Sequence, residues 1–340
     1  MGGAERQVCY LAQTLHRRGW EVAAISMLPL GRPIADLEAE GILTASLGMR
    51  QGVPDPRALV RLGRFLRAWR PDVLHGHMVH ANLLARLSRL VARTPMVVST
   101  IHNQDEGSQW RYVAYRLTDR LGDVTTTVSR VAVAESIRRG AVSANSIRLV
   151  PNGIRTIEYD RDEALRAVTR SALDLGDRFT WLAVGRLVPA KGYGDMLAAF
   201  AQARALHPDA ELLIAGAGPQ EESIRADAQA ADAFVMSSRW EGLPMVLLEA
   251  GASSLPIVTT DVGGSRDAVV DGVSGFVTPV ADPGAVGRAM SRVMELGAED
   301  RQSMGAAGRA HVCREFDIEA VVDTWEALYR GAGSPAAGGS

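Results

Sequence analysis

Short apolar segments of strand length alternate with helical patterns along almost the whole chain. The segments are "WEVAAISM", "DVLHGH", "MVVSTIH" and "DVTTTVS" in the first half, and "TWLAVG", "AELLIAG", "ADAFVMSS" and "LPIVTT" in the second. This alternation is typical of parallel sheets with helices on both faces. The polar stretch 147–165, which contains an Asn-Gly turn, separates the halves. We expect an α/β protein with two doubly wound, Rossmann-like domains, 1–150 and 151–330, facing across a cleft, and a disordered tail, 331–340.

Length and composition narrow the classes of function. A chain of 340 residues exceeds one typical core, and its net charge of −2 argues against a general nucleic-acid binder. The first 150 residues hold 20 arginines against 12 acidic residues, and the remainder holds 17 basic against 27 acidic residues, so different partners are expected for the halves. No apolar run reaches the roughly 18 residues that span a bilayer, and there is no signal-peptide pattern. Cys9 and Cys313 lie in no metal or redox spacing, so we expect a cytoplasmic protein.

Two acidic residues flank an apolar run in "SSRWEGLPMVLLEAGA". Pro244 suits the start of a helix, which places Glu241 on the loop before that helix and Glu249 just over one turn inside it. A helix N-terminus favours a phosphate, and an ionised carboxylate accepts hydrogen bonds from hydroxyl groups. The stretch therefore fits a nucleotide sugar, with phosphates in the middle and hydroxyls at both ends. A helix with one N-terminal acid and one solvent-facing acid is the alternative.

Lysine occurs once among 37 basic residues, as Lys191. With Arg186 it lies on the loop that follows the strand "TWLAVG", at the edge of the sheet where ligands bind. At about 4 Å and an effective dielectric near 20, each cation attracts a phosphate charge by roughly 4 kcal/mol. Such groups stabilise a leaving diphosphate without a metal. A solvated turn is the alternative.

Several histidines lie near predicted strand ends. His102 ends the strand "VVSTIH" and is expected to point into the cleft, although a structural histidine is the alternative. His75, His77 and His80 have no acid or cysteine near them to complete a metal site. We interpret these three as polar lining of the cleft.

Two further patterns allow both a ligand and a structural role. "DRD", 160–162, has the acid spacing of metal-dependent sugar transferases, but a helix N-cap is the preferred interpretation. The helix "RALVRLGRFLRAW" is basic and amphipathic. It could lie against an anionic membrane, or its basic face could simply be exposed to solvent. Its arginines are Arg57, Arg61, Arg64 and Arg67.

Seven motifs follow one another in a recognisable order. They are "GGAERQ", "STIH", "VPNGI", "VGRLVPAKG", "GAGP", "SSRWEGLPMVLLEAGA", and "VGG" followed by "DGVSGFV". Over nearly its whole length the chain resembles the family 4 retaining glycosyltransferases of the GT-B fold, of the bacterial polysaccharide and glycolipid type. The resemblance implies metal-independent transfer of a sugar from a nucleotide-diphosphate donor to a hydroxyl of a glycan or lipid-linked acceptor. It implies no cofactor, a UDP-sugar ahead of a GDP-sugar, and a cytoplasmic location with a peripheral position at the inner face of the membrane as a variant.

The resemblance also implies roles for individual residues. The implied catalytic residues are His102, Arg186, Lys191 and Glu241. The implied donor-binding residues are Gly3, Arg186, Lys191, Glu241, Gly242, Leu243 and Glu249. In these roles Glu241, Gly242 and Leu243 hold the sugar hydroxyls, and Glu249 holds the ribose. Arg186 and Lys191 hold the diphosphate, Gly3 approaches it from the other domain, and His102 contacts the sugar.

The chain departs from the family in two places. We expect the strand that leads into "GGAER" to be missing, together with one strand–helix unit, on the order of 30 residues, between Pro219 and Trp240. Asp267 also stands where the family usually has glutamate. A non-catalytic relative, acting as a nucleotide-sugar binding module or a scaffold, is therefore the alternative to an active transferase.

Overall fold

The computed structural model describes residues 2–29, 31–102, 108–216 and 221–331. It contains two compact units. The first unit comprises Met1–Gly153 and Ile318–Ser340, and the second comprises Ile154–Asp317. Both have the layered α/β architecture that the alternation of strands and helices predicts.

The first unit begins with six helices and six strands. The helices are α1 (Gly3–Arg17), α2 (Arg32–Ala39), α3 (Arg57–Trp69), α4 (Val79–Ser88), α5 (Gln109–Thr118) and α6 (Arg130–Arg138). The strands are β1 (Ala23–Ser26), β2 (Leu43–Ser46), β3 (Val73–His77), β4 (Met96–Ile101), β5 (Val124–Thr127) and β6 (Ile147–Leu149). β1 and β2 pair in parallel, and β3, β4, β5 and β6 form a separate parallel sheet in that order. The described part of this unit therefore contains two separate parallel sheets.

The second unit contains one five-stranded parallel sheet. Its helices are α7 (Glu163–Ala172), α8 (Tyr193–Leu206), α9 (Glu221–Ala230), α10 (Met245–Ala252), α11 (Ser265–Ala268), α12 (Pro283–Glu295) and α13 (Ala298–Glu315). Its strands are β7 (Thr180–Gly185), β8 (Glu211–Gly216), β9 (Ala233–Met236), β10 (Ile257–Thr260) and β11 (Gly275–Thr278). The strand order is β11-β10-β9-β7-β8, and Trp181, Met196, Val258 and Met290 lie in the core between this sheet and α8 and α12.

The last helix, α14 (Ile318–Tyr329), belongs to the first unit, which corrects the predicted range of 151–330 for the second domain. Val322, Trp325 and Leu328 of α14 are buried in one cluster with Leu11 of α1 and Val98 of β4. The sequence of this helix has the apolar periodicity of a packed helix, but it does not indicate which helices or strands the apolar side chains contact. The burial of these side chains therefore decides which unit the helix joins.

Some elements have no clear sequence signal. Helix α13 was not predicted, because it packs through glycines rather than through an apolar stripe. A Cβ atom on Gly305 would lie 2.0 Å from the carbonyl oxygen of Ser254, so only glycine permits this approach to the segment that follows α10. Elements α2, β2, α6 and β6 were also not predicted. The predicted tail and the "GAGP" loop lie largely outside the described residues.

Candidate functional site

The sheet of the second unit reverses its strand order at β7. The chain passes from β7 to β8 on one side and then to β9 on the other side. The loops that follow β7 and β9 therefore leave the same edge of the sheet side by side, and open parallel sheets bind ligands at such points. Arg186 and Lys191 lie on the first loop, and Glu241 lies on the second. The structure thus brings these two loops together.

Lys191 and Glu241 form a direct ion pair. The Nζ atom of Lys191 donates to Oε1 of Glu241 at 2.6 Å, and the two side chains are only 17% and 15% exposed. The hydroxyl of Ser238 donates to the same oxygen at 2.7 Å. The lone lysine and the first acid of the E-x7-E pattern are consequently parts of one polar cluster.

The backbone of both loops is tied together around Gly192. This residue has φ +63°, and a Cβ atom on it would lie 2.2 Å from the carbonyl oxygen of Ser237. The hydroxyl of Ser237 donates to the carbonyl oxygen of Gly192 at 2.9 Å, and the amide of Arg239 donates to that of Ala190 at 2.7 Å. The cluster therefore rests on a rigid backbone rather than on flexible side chains.

The segment after Glu241 is also fixed. The amide of Gly264 donates to the carbonyl oxygen of Gly242 at 2.6 Å, and the neighbouring Gly263 has φ +49°. Leu243 is buried, and α10 begins immediately after Pro244 without a hydrogen-bonding side-chain cap from the described residues. Glu249 lies on α10 and is only 6% exposed. The uncapped start of α10 leaves amide groups and a partial positive charge beside the polar cluster.

Arg186 differs from Lys191 in its surroundings. Its side chain is exposed and makes no ion pair with any part of the chain that the structure describes. It borders an open groove of about 460 Å³, which Leu187, Val188, Ile214 and Gly216 also line. The groove lies where β7 and β8 end, and the side chain of Arg186 is exposed there.

In the first unit, three histidine rings form a row on one face of the sheet. His75 and His77 lie two positions apart on β3, and their ring centroids are 4.0 Å apart. Nδ1 of His77 lies 3.0 Å from Nε2 of His102, which directly follows β4. The strand period of two and the parallel register of β3 with β4 place these side chains together.

The inner end of this row is fully hydrogen-bonded. Nδ1 of His75 lies 2.7 Å from the hydroxyl of Tyr329, and Nε2 lies 2.6 Å from that of Thr100. Burial lowers the pKa of His75 to about 3 and that of His102 to about 4. Burial, together with repulsion from the other two histidines, lowers the pKa of His77 well below its ordinary value. All three rings are therefore neutral at neutral pH.

The remaining predicted positions have simpler environments. Gly3 is the exposed first residue of α1, and the amide of Gly2 donates to Glu5 at 2.9 Å. His80 is exposed on α4 and is not part of the histidine row. Asp162 caps α7 by accepting from the amide of Leu165 at 3.0 Å, which confirms the N-cap interpretation of "DRD".

The described residues contain neither a candidate metal cluster nor a helix that could span a membrane. No group of three or more histidine, cysteine, aspartate or glutamate side chains there could hold a metal ion. None of the helices in that part of the chain combines the length and the apolar character needed to cross a membrane.

Sequence reasoning missed two participants. Ser238 lies within the quoted motif, but nothing in the motif indicates that its hydroxyl contacts Glu241. Tyr329 is 254 positions from His75, and no local pattern links them. The first could have been suspected from its spacing of three residues, and the second could not.

Sequence models of known families match both units. The model described as Glycosyltransferase Family 4 matches residues 1–158. The model described as Glycosyl transferases group 1 matches residues 167–231 and 226–311. These matches together cover most of the chain.

Individual proteins are similar over comparable lengths. A GDP-mannose-dependent alpha-(1-6)-phosphatidylinositol monomannoside mannosyltransferase of Mycobacterium tuberculosis is 30% identical over 78% of this chain and 77% of its own length. A glycogen synthase of the same organism is 26% identical over 98% of this chain and 92% of its own length. Among solved structures, Anabaena HepE in complex with UDP has a TM-score of 0.83 at 18% identity, covering 97% of this chain and 96% of that one. The chain therefore belongs to the family 4, group 1 glycosyltransferases, and its two Rossmann-like units are those of the GT-B fold.

Proposed function

We propose that this glycosyltransferase is active and transfers a sugar from a nucleotide-diphosphate donor to a hydroxyl of a glycan or lipid-linked acceptor, with retention of the anomeric configuration. The observation that carries the proposal is the Lys191–Glu241 pair at 2.6 Å, at the point where the strand order reverses. A cation and a carboxylate held together there match the two chemical parts of a nucleotide sugar. Lys191 faces the phosphates, and Glu241 faces the sugar hydroxyls.

Each remaining residue has a part in this arrangement. Arg186 is exposed beside Lys191 and adds positive charge for the diphosphate. The amides at the start of α10 add hydrogen-bond donors to the same charge. Gly242 and Leu243 shape the sugar pocket, and Glu249, on α10, binds the ribose. In the first unit, contacts to the substrate are assigned to Gly3 and His102.

The bond changes follow from these roles. The acceptor hydroxyl oxygen forms a bond to the anomeric carbon as the bond from that carbon to the diphosphate oxygen breaks. The acceptor proton passes to the departing phosphate oxygen on the same face, so the configuration is retained. Arg186 and Lys191 stabilise the negative charge that develops on the leaving diphosphate, and no metal ion is assigned a role.

A nucleotide-sugar binding module without catalysis is the second candidate. It is favoured by the divided first sheet and by the exposed edge strand β8, because both reduce the packing of the units. A scaffold requires neither Lys191 nor Glu241, whereas a binding module requires both. The candidates therefore differ in turnover and in the effect of these residues on binding.

Thermal unfolding with added nucleotide tests the binding site. We propose that the donor nucleotide is UDP. Because one relative is named for GDP-mannose and another for UDP-Gal, the experiment uses both UDP and GDP. A ligand at 100 times its dissociation constant stabilises the folded state by about 2.7 kcal/mol. Wild type is expected to gain this stability with UDP, and Lys191→Ala is expected to gain much less. Arg178→Ala is the matched control, because Arg178 forms a 3.1 Å pair with Glu211 away from the site. A scaffold without a donor site predicts no shift with either nucleotide.

Peripheral contact with an anionic membrane is proposed through α3. Arg57, Arg64 and Arg67 are exposed on this helix, whereas Arg61 forms a 2.5 Å pair with Asp55. The opposite side of the helix is buried in the first unit. The exposed arginines would place the first unit near lipid-linked acceptors at the inner face of the membrane.

A further inference from the structure

The histidine row of the first unit ends in a nitrogen that has no partner among the described residues. His102 is 7% exposed, and its Nδ1 atom is buried and accepts or donates no hydrogen bond there. Buried polar side-chain atoms in native proteins nearly always have a partner, so such an exception calls for an explanation. A bound hydroxyl group would supply the missing partner.

The direction of this nitrogen is set by His77. Nδ1 of His77 and Nε2 of His102 are 3.0 Å apart, and one neutral ring donates to the other. This bond leaves Nδ1 as the other nitrogen of the His102 ring. Without it, the ring could turn over and exchange the positions of its two nitrogens.

The ring of His77 is itself held in place by His75. Its ring stacks on His75 with centroids 4.0 Å apart. His75 cannot turn, because Tyr329 holds one of its nitrogens and Thr100 holds the other. Tyr329 of α14 thus fixes His75, His75 supports His77, and His77 orients the ring of His102.

The backbone on either side of His77 is also held in a defined conformation. A Cβ atom on Gly76 would lie 2.9 Å from Oδ1 of Asn82, so glycine allows the start of α4 to approach the strand. The amide nitrogen of Asn82 donates to the carbonyl oxygen of Thr100 at 2.8 Å. Met78, directly after His77, has φ 71° and ψ 157°, a conformation that side chains other than glycine rarely adopt. The turn that begins directly after His77 therefore carries backbone strain.

We propose that His77 is a positioning residue for sugar transfer, holding the ring of His102 so that its Nδ1 atom meets a hydroxyl group of the substrate. The inference rests on the proposed function, in which His102 contacts the substrate. A hydroxyl both donates and accepts, so it matches this nitrogen in either tautomer. His77 acts through His102 and need not touch the substrate.

Two substitutions separate the hydrogen bond from the packing. His77→Phe keeps a ring on His75 and removes the nitrogen that contacts His102. His77→Asn loses the stacking ring but retains a polar atom close to the position of Nδ1. We expect His77→Phe to lower kcat roughly 10- to 100-fold, the range for a misplaced catalytic group, with the Kd of the nucleotide alone unchanged. We expect His77→Asn to retain most of the activity.

A double-mutant cycle with His102→Ala completes the test. If His77 acts through His102, His77→Phe costs nothing further in the His102→Ala background. Independent, multiplicative losses would overturn the proposal, and so would a His77→Asn variant less active than His77→Phe, because packing would then be the role of His77. A wild-type protein that consumes no donor would overturn the proposed function itself. An active wild type with an equally active His77→Phe variant would overturn only the positioning role.

Discussion

The Nζ atom of Lys191 lies 2.6 Å from Oε1 of Glu241, although the two residues are fifty positions apart in the sequence. Each comes from a different loop, and the reversal of strand order at β7 makes these loops neighbours. The pair neutralises two partly buried charges. Under the proposed function, a diphosphate would compete with Glu241 for the lysine, and we therefore expect donor binding to alter the surroundings of Glu241.

Replacing Lys191 with alanine should lower turnover on the order of 100-fold, the usual cost of losing one group that stabilises developing charge. The measurement is the steady-state rate of nucleotide release with the preferred donor. Arg178→Ala, which breaks an ion pair elsewhere in the same unit, should leave the rate unchanged. A Lys191→Ala variant with wild-type turnover would remove the lysine from the mechanism.

Glu241→Gln should separate sugar recognition from diphosphate binding. The amide accepts hydrogen bonds from hydroxyls less strongly than the carboxylate does. The activation free energy of transfer should therefore rise by about 1.5–3 kcal/mol, which lowers the rate roughly 10- to 150-fold. Loss of the negative charge should leave the Kd of UDP alone unchanged or lower it. Calorimetric titration with UDP and kinetics with the UDP-sugar measure the two effects. Equal losses in both would contradict the assignment of Glu241 to the sugar.

Gly192→Ala should destabilise the second unit. The φ of +63° alone costs about 1–3 kcal/mol for a residue with a side chain, and the 2.2 Å approach to Ser237 adds to it. Gly194→Ala is the matched control, since its Cβ would meet no atom within 4 Å and alanine restricts the unfolded chain. Urea unfolding should show a loss for the first variant and a gain of up to about 1 kcal/mol for the second. Similar free energies of unfolding for both would show that this loop can relax.

The histidine row should make stability depend on pH. The folded-state pKa values of His75 and His102 are lowered to about 3 and about 4 by burial, and that of His77 is also lowered. The unfolded chain therefore binds more protons below about pH 6.5, and stability should be full above that pH and decline as the pH falls towards 4. Each histidine adds about 1.4 kcal/mol per pH unit to the slope.

Two variants test this origin of the slope. His75→Gln removes one titrating ring and should reduce the slope of the free energy of unfolding by about 1.4 kcal/mol per pH unit. Tyr329→Phe removes the hydrogen bond to the same ring at 2.7 Å and should lower stability equally at all these pH values. An unchanged slope in His75→Gln would assign the acid sensitivity to other groups.

Charge reversal on α3 tests the membrane proposal. Arg57→Glu with Arg64→Glu should weaken co-sedimentation with vesicles that contain phosphatidylglycerol, because each arginine near such a surface contributes about 1 kcal/mol. The control reverses Arg161 and Arg204 in the second unit. Equal vesicle binding by both double variants would exclude α3 as the contact surface.

The sequence predicts much of the fold, because most of these strands are apolar and bounded by clear helical patterns. It also predicts that Arg186 and Lys191 follow one strand and that Glu241 precedes a helix. It does not predict the ion pair, since the order of strands in the sheet is a property of the whole unit. The same limit applies to α14, which carries the apolar residues of a packed helix without any sign of which unit it joins.

The histidine row shows where sequence reasoning fails in another way. His75 and His77 lie two positions apart on β3, and this spacing alone places their rings on one face of the sheet. Their connection to His102 depends on the pairing of β3 with β4, and the anchor, Tyr329, comes from the other end of the chain. Long-range packing therefore determines the chemistry of this cluster.

The most direct test of the central claim is nucleotide release from a panel of UDP- and GDP-sugars, with NMR of the sugar at the earliest times. Water can replace an unknown acceptor, so the experiment needs only the purified chain and the donors. We predict release from one donor, a first-formed sugar with the anomeric configuration of that donor, and on the order of 100-fold slower release by Lys191→Ala. Wild-type protein that releases no nucleotide while still binding UDP would contradict catalysis and favour the binding module, and a first-formed sugar of inverted configuration would contradict retention.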